Sequence, residues 1–236
     1  MRKKELVNNL KIITISLGLS LLYWWLCNNY YIDQSRSNEL YRQINASIYG
    51  YSSLQSYFLI YLVPFLILLY VYSRRENYYI IARLQNRKAI IYLRIRMLIQ
   101  IVCYVFIPHF IVNILGNIYF FTFDYLWTQG YFLYEFLQIV SVIVFFFIIG
   151  LLYQMCTDYR KKESSLIITS LVTIAYYFFN RIFIKYILLR ELCIKDLLIA
   201  QVFSFNELLS IGIKYLIMIV FIFVLMSIKV REKDIV

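Results

Sequence analysis

Six apolar stretches set the rhythm of the chain, at residues 10–27, 56–73, 97–119, 134–156, 165–184 and 209–229. A membrane-crossing helix needs about 20 mostly apolar residues, so each stretch reaches or approaches the length of a span. Between them the polarity changes abruptly. Residues 28–55 read as a polar loop and residues 120–133 as a short aromatic one, while 185–208 mix apolar and charged positions too closely to cross a bilayer comfortably. The pattern predicts an all-α, polytopic membrane protein of six transmembrane helices. With no Gly/Pro-rich linker or repeat to divide it, residues 1–236 read as a single membrane domain.

Composition strengthens this reading. The chain is 62% hydrophobic with a mean hydropathy of +0.70, against roughly 45–50% apolar residues in soluble domains. Lys3 and Lys4 before the first apolar run resemble the start of a signal peptide. That run ends in Trp24 and Trp25 with no small-residue cleavage site, so it is expected to remain as a span. The aromatic residues at its end, and those from Phe120 to Trp127, suit the water–lipid interface.

The net charge of +11 is distributed unevenly. Basic residues crowd the N-terminus, residues 74–96, residues 157–164 and the C-terminal tail, whereas the alternate connections balance their charges. Lys and Arg mark the cytoplasmic side of short membrane loops. Both termini are therefore predicted to be cytoplasmic, in a multi-pass membrane protein; the richness in Lys, Ile, Asn and Tyr resembles chains from AT-rich bacterial genomes and places the expectation in a bacterial cytoplasmic membrane. Topology and anionic lipid headgroups account for the basic balance, and no nucleic-acid partner is expected.

Catalytic and metal chemistry find few candidates. The single histidine, His109, and four widely spaced cysteines without a CxxC pair do not make a zinc site. Spacing alone gives no reason to join Cys27 to Cys193. No GxxxxGK[ST], GxSxG or HExxH motif occurs, so neither enzymatic activity nor a resident cofactor is expected. Polar stripes inside the spans are more informative. His109, Asn113, Gly116 and Asn117 share one arc of the third span, just past Pro108, and Ser165, Thr169, Thr173, Tyr176 and Asn180 share a face of the fifth. Tyr57 and Tyr61 lie on the face of Pro64 in the second. Such faces turn from lipid toward protein or a wet cavity. They either line a transport route or simply hold helices together.

Residues 73–96 combine Ile, Leu and Tyr with a basic stripe. Read as one helix, they bring Glu76, Arg83, Arg87 and Arg94 to one face, with Lys88 beside them. A break at AsnArgLys, 86–88, would divide a surface helix from the rising third span and spoil that stripe. The segment is then either a basic anchor on anionic lipid or a docking surface for another protein.

The span count, SerArgArgGlu at 73–76 and TyrIleIleAlaArgLeuGlnAsnArg at 79–87 together resemble type-2 ABC exporter permeases. The 79–87 motif looks like that of the small permeases found with lantibiotic and bacteriocin export or self-immunity systems. The resemblance implies a coupling helix between spans two and three, in which Glu76, Arg83, Arg87, Lys88 and Arg94 engage a separate cytoplasmic ATPase. It also implies a second permease subunit, identical or paralogous, and ATP with magnesium on the ATPase alone. An extracellular re-entrant segment would precede the last span. The implied cargo is an amphipathic peptide or a lipid-like or drug molecule, passing His109, Asn113, Asn117, Thr169, Thr173, Tyr176 and Asn180. A departure is the absence of Gly after Glu76. The alternative is a membrane immunity or sensor protein that sequesters a peptide without ATP.

Overall fold

Helix α1 (Arg2–Asn28) winds the first apolar stretch and closes with a 3-10 turn, Asn29–Tyr31. After it come α2 (Asn38–Ala46) and a π-helical segment, Ser56–Tyr61, that continues as α3 (Leu62–Arg74). Then follow α4 (Arg87–Phe120), α5 (Phe123–Thr128), α6 (Tyr131–Tyr159), α7 (Lys162–Ile182) and α8 (Phe205–Glu232). This computed structural model describes residues 2–32, 37–46, 50–53, 55–74, 87–182 and 205–232, and among them all regular structure is helical.

Asn9–Tyr31, Ile91–Phe120 and Tyr131–Tyr159 are long and apolar enough to cross a membrane. Two shorter apolar helices cover Ser56–Tyr72 and Leu209–Leu225. Their outward faces carry large apolar side chains such as Leu22, Leu26, Leu115, Leu133 and Phe221, all more than half exposed. Apolar faces on this scale call for a lipid solvent, and they point to a membrane protein. The predicted fifth span is helical in α7, but Ser164, Ser165, Thr169, Ser170 and Thr173 dilute its apolar character.

Local sequence explains several boundaries. The Thr122 hydroxyl accepts the Tyr125 N–H at the start of α5, and Asp124 occupies its first turn. Pro64 lacks the N–H that would close an ordinary turn onto the carbonyl of Ile60. The preceding turn is the wider π form, with the Leu62 N–H bonded to the Tyr57 carbonyl. Helix α4 continues through Pro108. Between α5 and α6 the chain turns at Gly130, whose φ of 68° lies in the left-handed region. A Cβ there would also come 3.3 Å from the Tyr134 ring. Gly130→Ala is expected to lower stability by about 1–2 kcal/mol, read as a lower unfolding temperature in detergent.

The chain divides into two compact units. The first includes Met1–Leu62 and Cys103–Ile143. Its apolar core joins Leu40, Tyr41 and Ile44 of α2 to Phe120, Phe121, Leu126 and Tyr131, with Trp24 and Ile32 packed against them. The predicted loop 28–55 thus contains a buried helical face, because α2 repeats its apolar residues at helical spacing.

The second unit includes Val63–Val102 and Val144–Ile187. Phe65 meets Phe146 edge-on at 5.1 Å, and Gly150 admits Leu98, whose Cδ2 lies 2.6 Å from where a Cβ would stand. Arg94 of α4 binds both carboxylate oxygens of Asp158 on α6 through Nη1, each at 3.0 Å. The Gln154 side chain donates to the Arg94 carbonyl at 3.3 Å.

Candidate functional site

The first unit encloses a seam of buried polar side chains between α1, α2, the π segment, α4 and α6. One end is built around His109, which is fully buried. Its ring stacks on Tyr51 at 4.3 Å, and its Nδ1 lies 2.8 Å from the Tyr61 hydroxyl. The Tyr51 hydroxyl donates to the His109 carbonyl at 3.1 Å. Tyr61 also reaches the Tyr51 and Ser20 hydroxyls at 3.4 and 3.5 Å. Ser56 accounts for part of this placement: it bonds Tyr23 of α1 at 2.6 Å, Ser53 at 2.8 Å and the Gly50 carbonyl at 2.9 Å. Those bonds hold the 50–56 turn against α1, and the turn carries Tyr51 onto the histidine. Burial pushes the Tyr51 phenol above its usual pKa range, so it acts as a neutral donor.

The other end is a line of amides closing on a carboxylate. The Asn45 Nδ2 donates to Asn117 Oδ1 at 2.7 Å, and Asn117 Nδ2 to Asn113 Oδ1 at 3.3 Å. Asn113 Nδ2 then donates to Glu135 Oε1 at 2.8 Å. All four residues are less than 5% exposed. The carboxylate sets the direction of the line. An ionised Glu135 can only accept, so Asn113 presents its NH2 to it and its oxygen to Asn117, and the same logic passes to Asn45. Bonds aligned in one sense polarise one another in a low-dielectric interior. Tyr41, Tyr57 and Tyr131 also lie within electrostatic reach of Glu135.

The structure brings His109, Asn113 and Asn117 together as their spacing predicted. Gly116, on the same arc, serves a different purpose: a side chain there would overlap the Trp24 indole. The two residues help line an apolar cleft of about 280 Å³ with Leu21, Ile32, Val112 and Tyr119.

Thr169 and Thr173 are buried in the second unit, where the Thr173 hydroxyl donates to the Thr169 carbonyl at 2.7 Å. Tyr176 faces Phe145 at 6.0 Å. Neither threonine nor Tyr176 belongs to the seam. Asn180 lies in α7, its side chain outside the described residues.

The predicted coupling set is only partly visible. Glu76 and Arg83 lie outside the described residues, as do the side chains of Arg87 and Lys88, although α4 begins at Arg87. Residues 87–96 therefore belong to the same helix as the third span. Arg94 departs from the expected surface stripe: its side chain is 9% exposed and paired with Asp158, which is 1% exposed. A guanidinium so enclosed does not present a docking surface.

Sequence reasoning missed Glu135, Asn45 and the Asp158 partner of Arg94. A carboxylate at the head of a long apolar run was the available signal for Glu135, since ionisable groups in spans rarely face lipid. Cys27, Cys103 and Cys156 are free thiols, and Cys193 lies outside the described residues. Among the described residues, no group of three or more His, Cys, Asp or Glu side chains is placed to hold a metal. No protein family, curated protein or solved structure matches the chain.

Proposed function

We propose that the chain is the permease subunit of an ATP-binding-cassette exporter in a bacterial cytoplasmic membrane. Its six spans would place both termini in the cytoplasm, and a separate ATPase and a second permease subunit would complete the transporter. The cargo would be an amphipathic peptide or a lipid-like or drug molecule. The observation that carries a binding or transport role is the buried seam from His109 to Glu135 within apolar helices. Burying polar and charged groups in hydrocarbon is costly, and where it occurs it commonly marks the path of a substrate or ion. The basic segment supports the choice of an ATP-driven exporter. Residues 75–90 fall between apolar helices ending at Tyr72 and beginning at Ile91, where the resemblance assigns a coupling helix.

Within that reading, Glu76, Arg83, Arg87 and Lys88 form the docking set, and Arg94 secures the base of the segment through Asp158. Reversing charge in the double variant Arg83→Glu/Arg87→Glu is expected to abolish ATP-driven export in reconstituted vesicles. Insertion and folding should persist. Export at the wild-type rate would rule out coupling through these arginines.

A second reading is an immunity or sensor protein that sequesters a peptide without ATP. The enclosed seam favours it, because a buried polar site can retain a ligand without a transport cycle. Co-purification of an ATPase supports the exporter, whereas unchanged function in ATP-depleted vesicles supports sequestration.

A further inference from the structure

The amide line ends on an atom with no hydrogen-bond partner. Asn45 commits its NH2 to Asn117 and to the Tyr41 carbonyl, at 2.7 and 3.2 Å, while its Oδ1 is buried without a donor. The Tyr41 hydroxyl, one turn earlier on the same face of α2, is likewise buried and unpartnered. Both residues are more than nine-tenths buried, and an oxygen left bare in such surroundings costs free energy. The Asn45 oxygen, which can only accept, lacks an N–H or O–H donor, and the Tyr41 hydroxyl, which both donates and accepts, has a lone pair that can take the same donor.

The charge nearby specifies the donor further. Glu135 stands at the far end of the amide line, and each amide hands its polarisation to the next. The Asn45 oxygen is therefore more negative than that of an isolated amide. Trp24, in the wall of the apolar cleft, adds an aromatic side chain. Acceptors, a nearby anion and an aromatic side chain together suit a cation that carries N–H bonds.

The apolar cleft suggests what that cation is attached to. Its walls are almost wholly apolar, and they include Trp24 and Ile32, which also pack against the cluster containing Tyr41. Gly116 in the same wall directly precedes Asn117 of the amide line.

We propose that this part of the first unit binds a primary ammonium group carried on an apolar chain. The ammonium donates to Asn45 Oδ1 and the Tyr41 hydroxyl, Glu135 balances its charge through Asn113 and Asn117, and the apolar chain lies in the cleft beside Trp24. The group could belong to a lysine or N-terminus of a peptide, or to an aminophospholipid headgroup. The proposal names the chemical group the seam recognises. Its transport meaning rests on the permease reading, but the binding itself does not.

The test uses the full chain without an ATPase, in phosphatidylcholine nanodiscs, whose lipid offers no N–H donor. Thermal unfolding is followed while n-octylammonium, n-octyltrimethylammonium or 1-octanol is added. Saturable stabilisation by octylammonium alone is expected, with apparent affinity reduced about tenfold or more in Glu135→Gln and in Asn45→Leu. Equal responses to all three probes, or an unaltered response in a folded Glu135→Gln, would overturn the proposal. Where neither variant folds, the comparison of probes on the wild-type chain decides.

Repeating the titration in phosphatidylethanolamine discs separates the sources. A response diminished at least fivefold identifies the lipid headgroup as occupant, and an undiminished one leaves a peptide ammonium. Because no transport is measured, loss of amine binding leaves the permease reading standing. Failure of ATP-driven export likewise leaves the binding result intact.

Discussion

Arg94→Ala is expected to lower the unfolding free energy of the chain by about 3–5 kcal/mol, because it leaves a buried carboxylate without its counter-charge. Asp158 is 1% exposed at its side chain, and both its oxygens lie 3.0 Å from Arg94 Nη1. Water cannot readily replace what is removed. The bond from Gln154 to the Arg94 backbone carbonyl does not involve the side chain and is not removed by the substitution. Arg94→Lys should recover only part of the loss, since an ammonium preserves charge without the planar guanidinium geometry. Replacing both partners, Arg94→Met with Asp158→Leu, should bring the cost near zero, because no uncompensated charge then remains. Equilibrium unfolding in mixed detergent measures all three. A cost below about 1 kcal/mol for Arg94→Ala would mean the pair behaves like an exposed one.

The next largest effect is expected at Asn113. Replacing it by leucine removes the donor to Glu135 and the side-chain acceptor for Asn117. A hydrogen bond to a charged group is worth about 1.5–3 kcal/mol, whereas polar contacts between membrane helices average about 0.6. The two accounts of the seam therefore differ in magnitude. A loss of about 2–3 kcal/mol marks a charged, polarised line, and a loss near 0.6 marks ordinary helix adhesion. The double variant Asn113→Leu/Glu135→Leu should cost less than the two single leucine substitutions summed, since removing the carboxylate removes the demand for its donor. Additive losses would show that the two residues do not act as a pair.

The sequence disclosed what depends on spacing along one helix. Apolar runs located the long helices, and the separation of His109, Asn113 and Asn117 showed that they share a face, which the fold buries. Contacts between elements were not legible. Glu135 lies 22 residues from Asn113, and Asp158 lies 64 from Arg94. Periodicity alone thus placed Arg94 in a surface stripe. Asn45 was hidden for the same reason: Leu40, Tyr41 and Ile44 mark an apolar face on α2, but the Asn117 partner that gives Asn45 its role lies 72 residues away. The limit was sharpest where one residue served two patterns. Gly116 fell on the polar arc by spacing, yet it is there to admit an indole.

The amide line also has a sense, like an arrow with its head on Glu135. No single amide can turn around without setting donor against donor or acceptor against acceptor, so the arrow reverses only when all three turn together. Backbone carbonyls hold the same heading, since the NH2 groups of Asn45 and Asn117 also donate to the Tyr41 and Asn113 carbonyls. Reversal would leave Asn45 offering hydrogens where it had offered an oxygen. The acceptor at one end thus helps decide which atom a side chain two amides away presents.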